Sequence, residues 1–184
     1  MAQNEKPGVG ILSFFKWTDT FSLMCGVFGF LSVIRVVGGD FFLGAVFLAA
    51  AGVFDYIDGF ATMRFSKPTE FGSYIDTVCD AAALAMAPAA FIYFYALGNF
   101  PEQAVFYLLV SVAVLCAGLL RLARYLVLAK QGLKSYVGLP ITFNALVIPL
   151  LYLLSESSGI NLFFLALVSA FLMVSEVKVK KFCI

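Results

Sequence analysis

The sequence predicts an all-α, polytopic membrane protein. Three observations point there: its composition, the length of its apolar runs, and the spacing of a few charged residues within those runs. Hydrophobic residues make up 62% of the 184 residues and charged residues 12%, with a mean hydropathy of +1.00. A soluble domain usually has about 45–50% apolar and about 25% charged residues. The net charge of +1 provides no field that would draw a nucleic acid. Histidine is absent, so any acid–base or metal chemistry has to rest on carboxylates.

A helix needs about 20 apolar residues to cross hydrocarbon. Six runs come close enough to count, roughly Thr20–Val37, Phe41–Phe60, Tyr74–Leu97, Ala104–Leu128, Leu139–Leu154 and Ile160–Val174. The last two are short but carry no charge. Between the runs lie turn-forming or charged breaks such as "GGD", "RFSKPTE" and "SESSG", and no soluble domain fits there. The organisation expected is an N-terminal interfacial segment (1–19), a six-helix transmembrane domain (20–175) and a basic tail (176–184). Within the first segment, Ile11–Trp17 mixes large apolar residues with Lys16. It reads either as a short helix lying in the interface or as the start of the first span.

Six crossings place both termini on one side. Of the 12 Lys and Arg residues, all but Arg35 fall at that side. By the positive-inside rule, both termini and the loops after spans two and four are cytoplasmic. Cys25, Cys79, Cys116 and Cys183 are far apart in sequence and form no paired motif. Three of them sit in apolar runs and read as small packing residues.

The unusual stretch is "FDYIDGFATMRFSKPTEFGSYIDTVCD", from Phe54 to Asp80. Asp55 and Asp58 lie at the cytoplasmic end of span two, Asp76 and Asp80 in the cytoplasmic part of span three. A carboxylate deep in a spanning helix costs about 2.5–3.5 kcal/mol on insertion scales. Residues three or four apart share a helix face, so a turn through 64–70 lets two acidic stripes meet. Without His or Cys, such a cluster is a hard-oxygen site suited to Mg²⁺ or Mn²⁺. The plain alternative is pairing with Arg64, Lys67, Arg121 or Arg124. Gly59 and Gly72 favour the metal reading, because glycine lets a phosphate approach the backbone closely.

The stretch resembles the signature of the CDP-alcohol phosphotransferase family: Asp-x2-Asp-Gly-x2-Ala-Arg, a spacer, then Gly-x3-Asp-x3-Asp. Asp55, Asp58, Gly59, Gly72, Asp76 and Asp80 occupy its fixed positions. Thr62 and Met63 stand where the family has Ala-Arg, and Arg64 follows one residue later. "APA" at Ala87–Ala89, "GLLRLARY" at Gly118–Tyr125 and "YVGLPITFNAL" at Tyr136–Leu146 resemble the phosphatidylserine synthase branch. Its corresponding stretches end in Val-Ala-Pro-Ala, read Arg-Leu-Ala-Arg-Phe, and read Gly-Leu-Pro-Ile-Pro. Ser22 stands four residues before Gly26, where that branch has Asn.

The resemblance implies a six-span enzyme, commonly dimeric, with a cytoplasm-facing site. Its donor would be a CDP-activated diacyl or ether lipid, and its acceptor L-serine or another small polar alcohol such as glycerol phosphate or inositol phosphate. It further implies metal ligands at Asp55, Asp58, Asp76 and Asp80, with Asp80 also the base. Contacts to CDP or phosphate are implied at Ser22, Gly59, Thr62, Arg64 and Gly72. Arg121 and Arg124 are candidates for a substrate phosphate or carboxylate, since Arg binds both in bidentate fashion. They also suit headgroup snorkelling. Two other classes stay open: a lipid-binding pseudoenzyme, and a cation transporter or channel. The latter predicts acidic residues on several spans, and spans five and six have none.

Overall fold

The computed structural model describes residues 10, 14–65, 69–131, 140–154 and 159–175, and every regular element among them is helical. The bundle comprises α1 (Asp19–Val37), α2 (Phe41–Phe65), α3 (Glu70–Asp80), α4 (Ala87–Asn99), α5 (Ala104–Lys130), α6 (Thr142–Leu154) and α7 (Gly159–Val174). A π-helical turn, Ala81–Met86, joins α3 to α4 without a break, and a 3₁₀ turn, Pro101–Gln103, leads into α5.

Local chemistry sets the helix ends. The Asp19 carboxylate accepts from the Lys16 backbone N–H at 2.9 Å, satisfying a donor just ahead of α1. The α1–α2 turn passes through Gly39 at φ +82°, a left-handed conformation that glycine adopts without penalty. Asp40 then caps α2 by accepting from the Leu43 N–H at 3.1 Å. Thr69 caps α3 in the same way, its hydroxyl accepting from the Gly72 N–H at 3.1 Å. In the π turn, the Ala87 N–H donates to the Ala82 carbonyl, five residues back. Pro88 follows and has no N–H to give, so the ladder widens where it would in any case be interrupted.

The π turn is pressed between two neighbours. A Cβ on Gly29 of α1 would lie 2.4 Å from the Ala83 Cα, and one on Gly118 of α5 would lie 2.9 Å from the Ala85 Cβ. Small residues on both sides let the backbones touch, the usual way for helices to associate where no water drives packing. Around this centre α1 lies along α2, α2 also meets α6, and α5 meets both α4 and α7. Cys25, Leu48, Leu84, Phe91, Ile92 and Val114 form the middle of the core, each fully buried. Toward the far end from the aspartates, Phe41 and Tyr95 pack edge to face at 5.4 Å, as do Phe91 and Tyr152 at 5.6 Å.

Much of the outer surface is apolar: Phe171, for example, is 76% exposed. Such a skin suits lipid, not water. Four helical stretches are long and apolar enough to cross a membrane: Asp19–Val37, Phe41–Thr62, Glu70–Asn99 and Pro101–Leu128. The fifth expected span appears as the shorter apolar helix Thr142–Leu153. At about 1.5 Å per residue, a helix of that length falls short of a hydrocarbon layer about 30 Å thick. The expected sixth span corresponds to α7. Of Ile11–Trp17, residues 11–13 lie outside the described residues. Phe14 packs on Phe71 near the start of α3 at 6.0 Å.

The contact between Gly29 and Ala83 is backbone on backbone, with no flexible side chain to give way. Gly29→Leu should therefore destabilise the protein by about 1–3 kcal/mol through overpacking. Thermal unfolding of the detergent-solubilised variant reads this as a lower Tm, and an unchanged Tm would contradict it.

Candidate active site

Two helices build the acidic centre. The 3.6-residue turn puts Asp55 and Asp58 about 60° apart around α2, and Asp76 and Asp80 about 40° apart around α3. Asp55, Asp76 and Asp80 each bring one carboxylate oxygen to a common place, all within 4.8 Å of one another. Across the helix pair Asp55 meets Asp80, and Asp58 meets Asp76, side chain against side chain. Asp58 and Asp80 are buried, and Asp55 and Asp76 half-buried. Asp58 stands beside the three-oxygen group, not within it.

Carboxylates this close repel one another strongly in a medium of low dielectric. The donor set consists of converging hard oxygens, and the chain has no histidine to compete. That chemistry fits Mg²⁺ or Mn²⁺, which bind a few carboxylates and leave positions for phosphate oxygens.

Each carboxylate of α2 is also held by a hydroxyl from another helix. Ser22 of α1 donates to Asp58 Oδ2 at 2.8 Å, with both groups buried. Thr142, the first residue of α6, donates to Asp55 Oδ2. Ser22, expected to touch CDP or phosphate, therefore serves Asp58. Gly59 faces open space: a Cβ there would meet nothing within 4 Å. At Gly72 the room is already taken, because a Cβ would lie 3.0 Å from both Asp19 Oδ1 and Thr69 Oγ1. Its lack of a side chain accommodates the protein's own carboxylate, and the expected opening for phosphate is not found there.

Continuous helix through Phe65 fixes the neighbouring positions. Seven residues on from Asp55, half-buried Thr62 returns to the same face, within about 20°. Arg64, nine residues on, points about 180° away and is exposed. The expected phosphate contact at Arg64 is therefore not supported, because the one-residue offset turns it off the acidic face. The two arginines of α5 divide as well. Arg121 is half-buried and within electrostatic reach of Asp55. Arg124 Nη2 donates to the Met173 carbonyl at 3.0 Å and the Ser175 carbonyl at 3.5 Å, capping the C-terminus of α7.

Three residues of this region escaped the sequence reading. Asp19 is buried beside Gly72 and within electrostatic reach of Asp58 and Asp76. Its signal was a carboxylate at the very start of an apolar run. Thr142 stands where the resembling loop has its second proline, a departure that could have been noticed. Asn144 is buried, and its Nδ2 donates to Met173 Sδ at 3.7 Å, tying α6 to the carbonyl-bearing residue that Arg124 caps. No periodicity marks it. An apolar cavity of about 580 Å³ between α5 and α7 is lined by Ala113, Ala117, Leu120 and Phe171 among others. Its walls carry no carboxylate or cation, so the polar chemistry is elsewhere.

Several known proteins resemble this chain over most of its length. Archaetidylserine synthase from Methanothermobacter thermautotrophicus is 28% identical over 170 residues, covering 91% of this chain and 71% of that protein. CDP-diacylglycerol–serine O-phosphatidyltransferase from Methanocaldococcus jannaschii is 32% identical over 131 residues, covering 71% of this chain and 60% of that protein. The enzyme of the same name from Mycobacterium tuberculosis is 31% identical over 147 residues, and the match spans 50% of its length. Residues 18–177 match the sequence profile for CDP-alcohol phosphatidyltransferase, taking in every helix that contributes to the acidic centre. On a match of that extent, this chain belongs to the CDP-alcohol phosphatidyltransferase family.

Proposed function

We propose that the chain transfers the phosphatidyl or archaetidyl group of a CDP-activated lipid to the hydroxyl of L-serine. The observation that carries this reading is the convergence of Asp55, Asp76 and Asp80 in a family whose substrates are CDP-alcohols. The names of the relatives from Methanothermobacter and Methanocaldococcus support serine as acceptor. Asp55, Asp76 and Asp80, with Asp58 beside them, are the residues that would hold Mg²⁺ or Mn²⁺, whose chemistry there would be polarising the diphosphate and stabilising charge on departing CMP.

The chain's own groups account for the rest. The serine hydroxyl attacks the β-phosphorus, the phosphoanhydride bond to CMP breaks, and Asp80 takes the hydroxyl proton. In a site without histidine, a buried carboxylate is the available base. Gly59 and Thr62 line the acidic face for the diphosphate. Arg121 offers a bidentate cation to a phosphate or to the serine carboxylate. Glycerol phosphate and inositol phosphate are the competing acceptors, because the same Arg121 suits their phosphate. The reading includes six crossings, an interfacial segment at 1–19, a basic tail at 176–184, and both termini and the site facing the cytoplasm. It also includes assembly as a homodimer.

Purified protein given CDP-lipid, Mn²⁺ and a panel of alcohols tests the assignment. Serine should support CMP release that stops when the metal is chelated. Release with glycerol phosphate or inositol phosphate but not serine would overturn the acceptor. Asp80→Asn should lower turnover by about 10²–10⁴-fold, the range for losing a general base, while CDP-lipid binding survives. A pseudoenzyme would show no release to lose.

The two arginines should separate in the same assays. Arg121→Ala should give the larger fall in kcat/KM. Arg124→Ala should give the larger loss of stability, about 1.5–3 kcal/mol for a charged hydrogen bond removed from the α7 C-terminus, read as a lower Tm. The reverse ranking would show that Arg124 is the substrate cation.

A further inference from the structure

Thr142 and Ser22 are not among the acidic ligands, yet each spends its hydroxyl proton on one of them. We infer that these two hydroxyls are positioning residues: they fix the Asp55 and Asp58 side chains in the orientation that binds the divalent ion. The inference rests on the transferase reading, since it concerns the same acidic centre.

The geometry around Thr142 is built by close helix packing, not by the hydroxyl itself. A Cβ on Gly52 would lie 3.2 Å from the Ala145 Cβ. Gly52 is one turn before Asp55 on α2, and Ala145 is one turn after Thr142 on α6. Gly52–Ala145 and Asp55–Thr142 are therefore successive rungs between helices running in opposite directions. Buried Ile141 anchors the start of α6, its Cδ1 3.2 Å from where a Cβ on Gly118 would be. Pro140 and Ile141 carbonyls accept from the Phe143 and Asn144 N–H groups, each at 3.1 Å, so the first turn is formed at Thr142. A β-branched side chain in a helix has few rotamers. Its hydroxyl is aimed at Asp55 before any ligand arrives.

Ser22 is held in the same manner on the opposite flank. Between α1 and α2, Ser22 donates to Asp58 Oδ2 at 2.8 Å and Ser32 donates to the Gly44 carbonyl at 2.7 Å. Again the two contacts tie an antiparallel helix pair at separated points. A hydroxyl has one proton to donate, and here it goes to a single oxygen, Oδ2, of each carboxylate. The other oxygen of each is left for the neighbouring aspartate or an ion. Because Asp55 and Asp58 lie only one turn apart, fixing both from opposite sides removes the side-chain freedom that metal binding would otherwise have to freeze.

Removing a group that orients a metal ligand typically costs about 10–100-fold in metal affinity. Thr142→Val keeps the shape and removes the donor, and Thr142→Ser restores the donor with less bulk. Binding of Mn²⁺ alone to detergent-solubilised full-length protein, followed by electron paramagnetic resonance, supplies a readout independent of turnover. Thr142→Val should weaken Mn²⁺ binding about 10–100-fold, Thr142→Ser should return it close to wild type, and Ser22→Ala should weaken it similarly. Retention of Tm and of a single elution peak checks that the variants are folded. If the wild type binds Mn²⁺ and Thr142→Val binds as tightly, or if Thr142→Ser fails to restore affinity in a folded protein, this inference is overturned and the transferase reading stands. If the wild type binds no Mn²⁺ and releases no CMP, both fall together.

Discussion

Four carboxylates held against one another inside an apolar bundle are the constraint that the rest of this structure accommodates. Asp55 meets Asp80 and Asp58 meets Asp76, and two of the four are buried. Burying one ionised carboxylate without partners is already unfavourable. Gathering four together, two of them buried, requires donors, a counter-charge and a rigid frame. The donors are Ser22 and Thr142, the fixed cation within reach is Arg121, and a divalent ion suits the convergent oxygens. Each comes from a different helix, so α1, α5 and α6 are all tied to the α2–α3 hairpin through its acidic face. Chemistry and tertiary packing are thus met by the same contacts.

The frame depends on what happens immediately after Asp80. Were α3 to lean away from its neighbours, Asp76 and Asp80 would part from Asp55 and Asp58. The π turn at Ala81–Met86 prevents this by offering nothing larger than alanine to both sides, against Gly29 of α1 and Gly118 of α5. Pro88 makes the wider turn acceptable, since the hydrogen bond it forgoes has no donor in any case. A run of alanines that looks featureless is therefore what allows the centre to close.

How much of this was legible follows from the reach of each signal. The helices and the two acidic stripes rest on local periodicity, which a single sequence displays, so Asp55, Asp58, Asp76 and Asp80 were found with their spacing intact. Pairing of the stripes needed only a few residues between α2 and α3, with Thr69 as cap of α3. Ser22 was found by position but without its bond to Asp58, because nothing local says that α1 faces Asp58. Thr142 is 87 residues from Asp55 in sequence, and no periodicity spans such a gap. Arg124 stood with Arg121 as a candidate substrate cation, because its contact with carbonyls at the end of α7 lies beyond any local pattern. Gly72 was read as open to a ligand. It is filled by Asp19, a side chain from another helix.

The stretch Thr62-Met63-Arg64 shows how one residue of offset redistributes charge. Because α2 stays helical through Phe65, Arg64 turns about half a revolution from Asp55, while Thr62 stays on its face. The family pattern has an arginine where Met63 stands; here α2 offers the Thr62 hydroxyl on the acidic face. The half-buried cation near Asp55 comes instead from α5, as Arg121. Supplying that charge from a separate helix keeps it partly desolvated, where a guanidinium attracts a phosphate more strongly than at an exposed helix end. It also makes the electrostatics of the site depend on α5 docking against the π turn at Gly118. The same close approach that shuts the acidic centre therefore sets the position of its fixed positive charge.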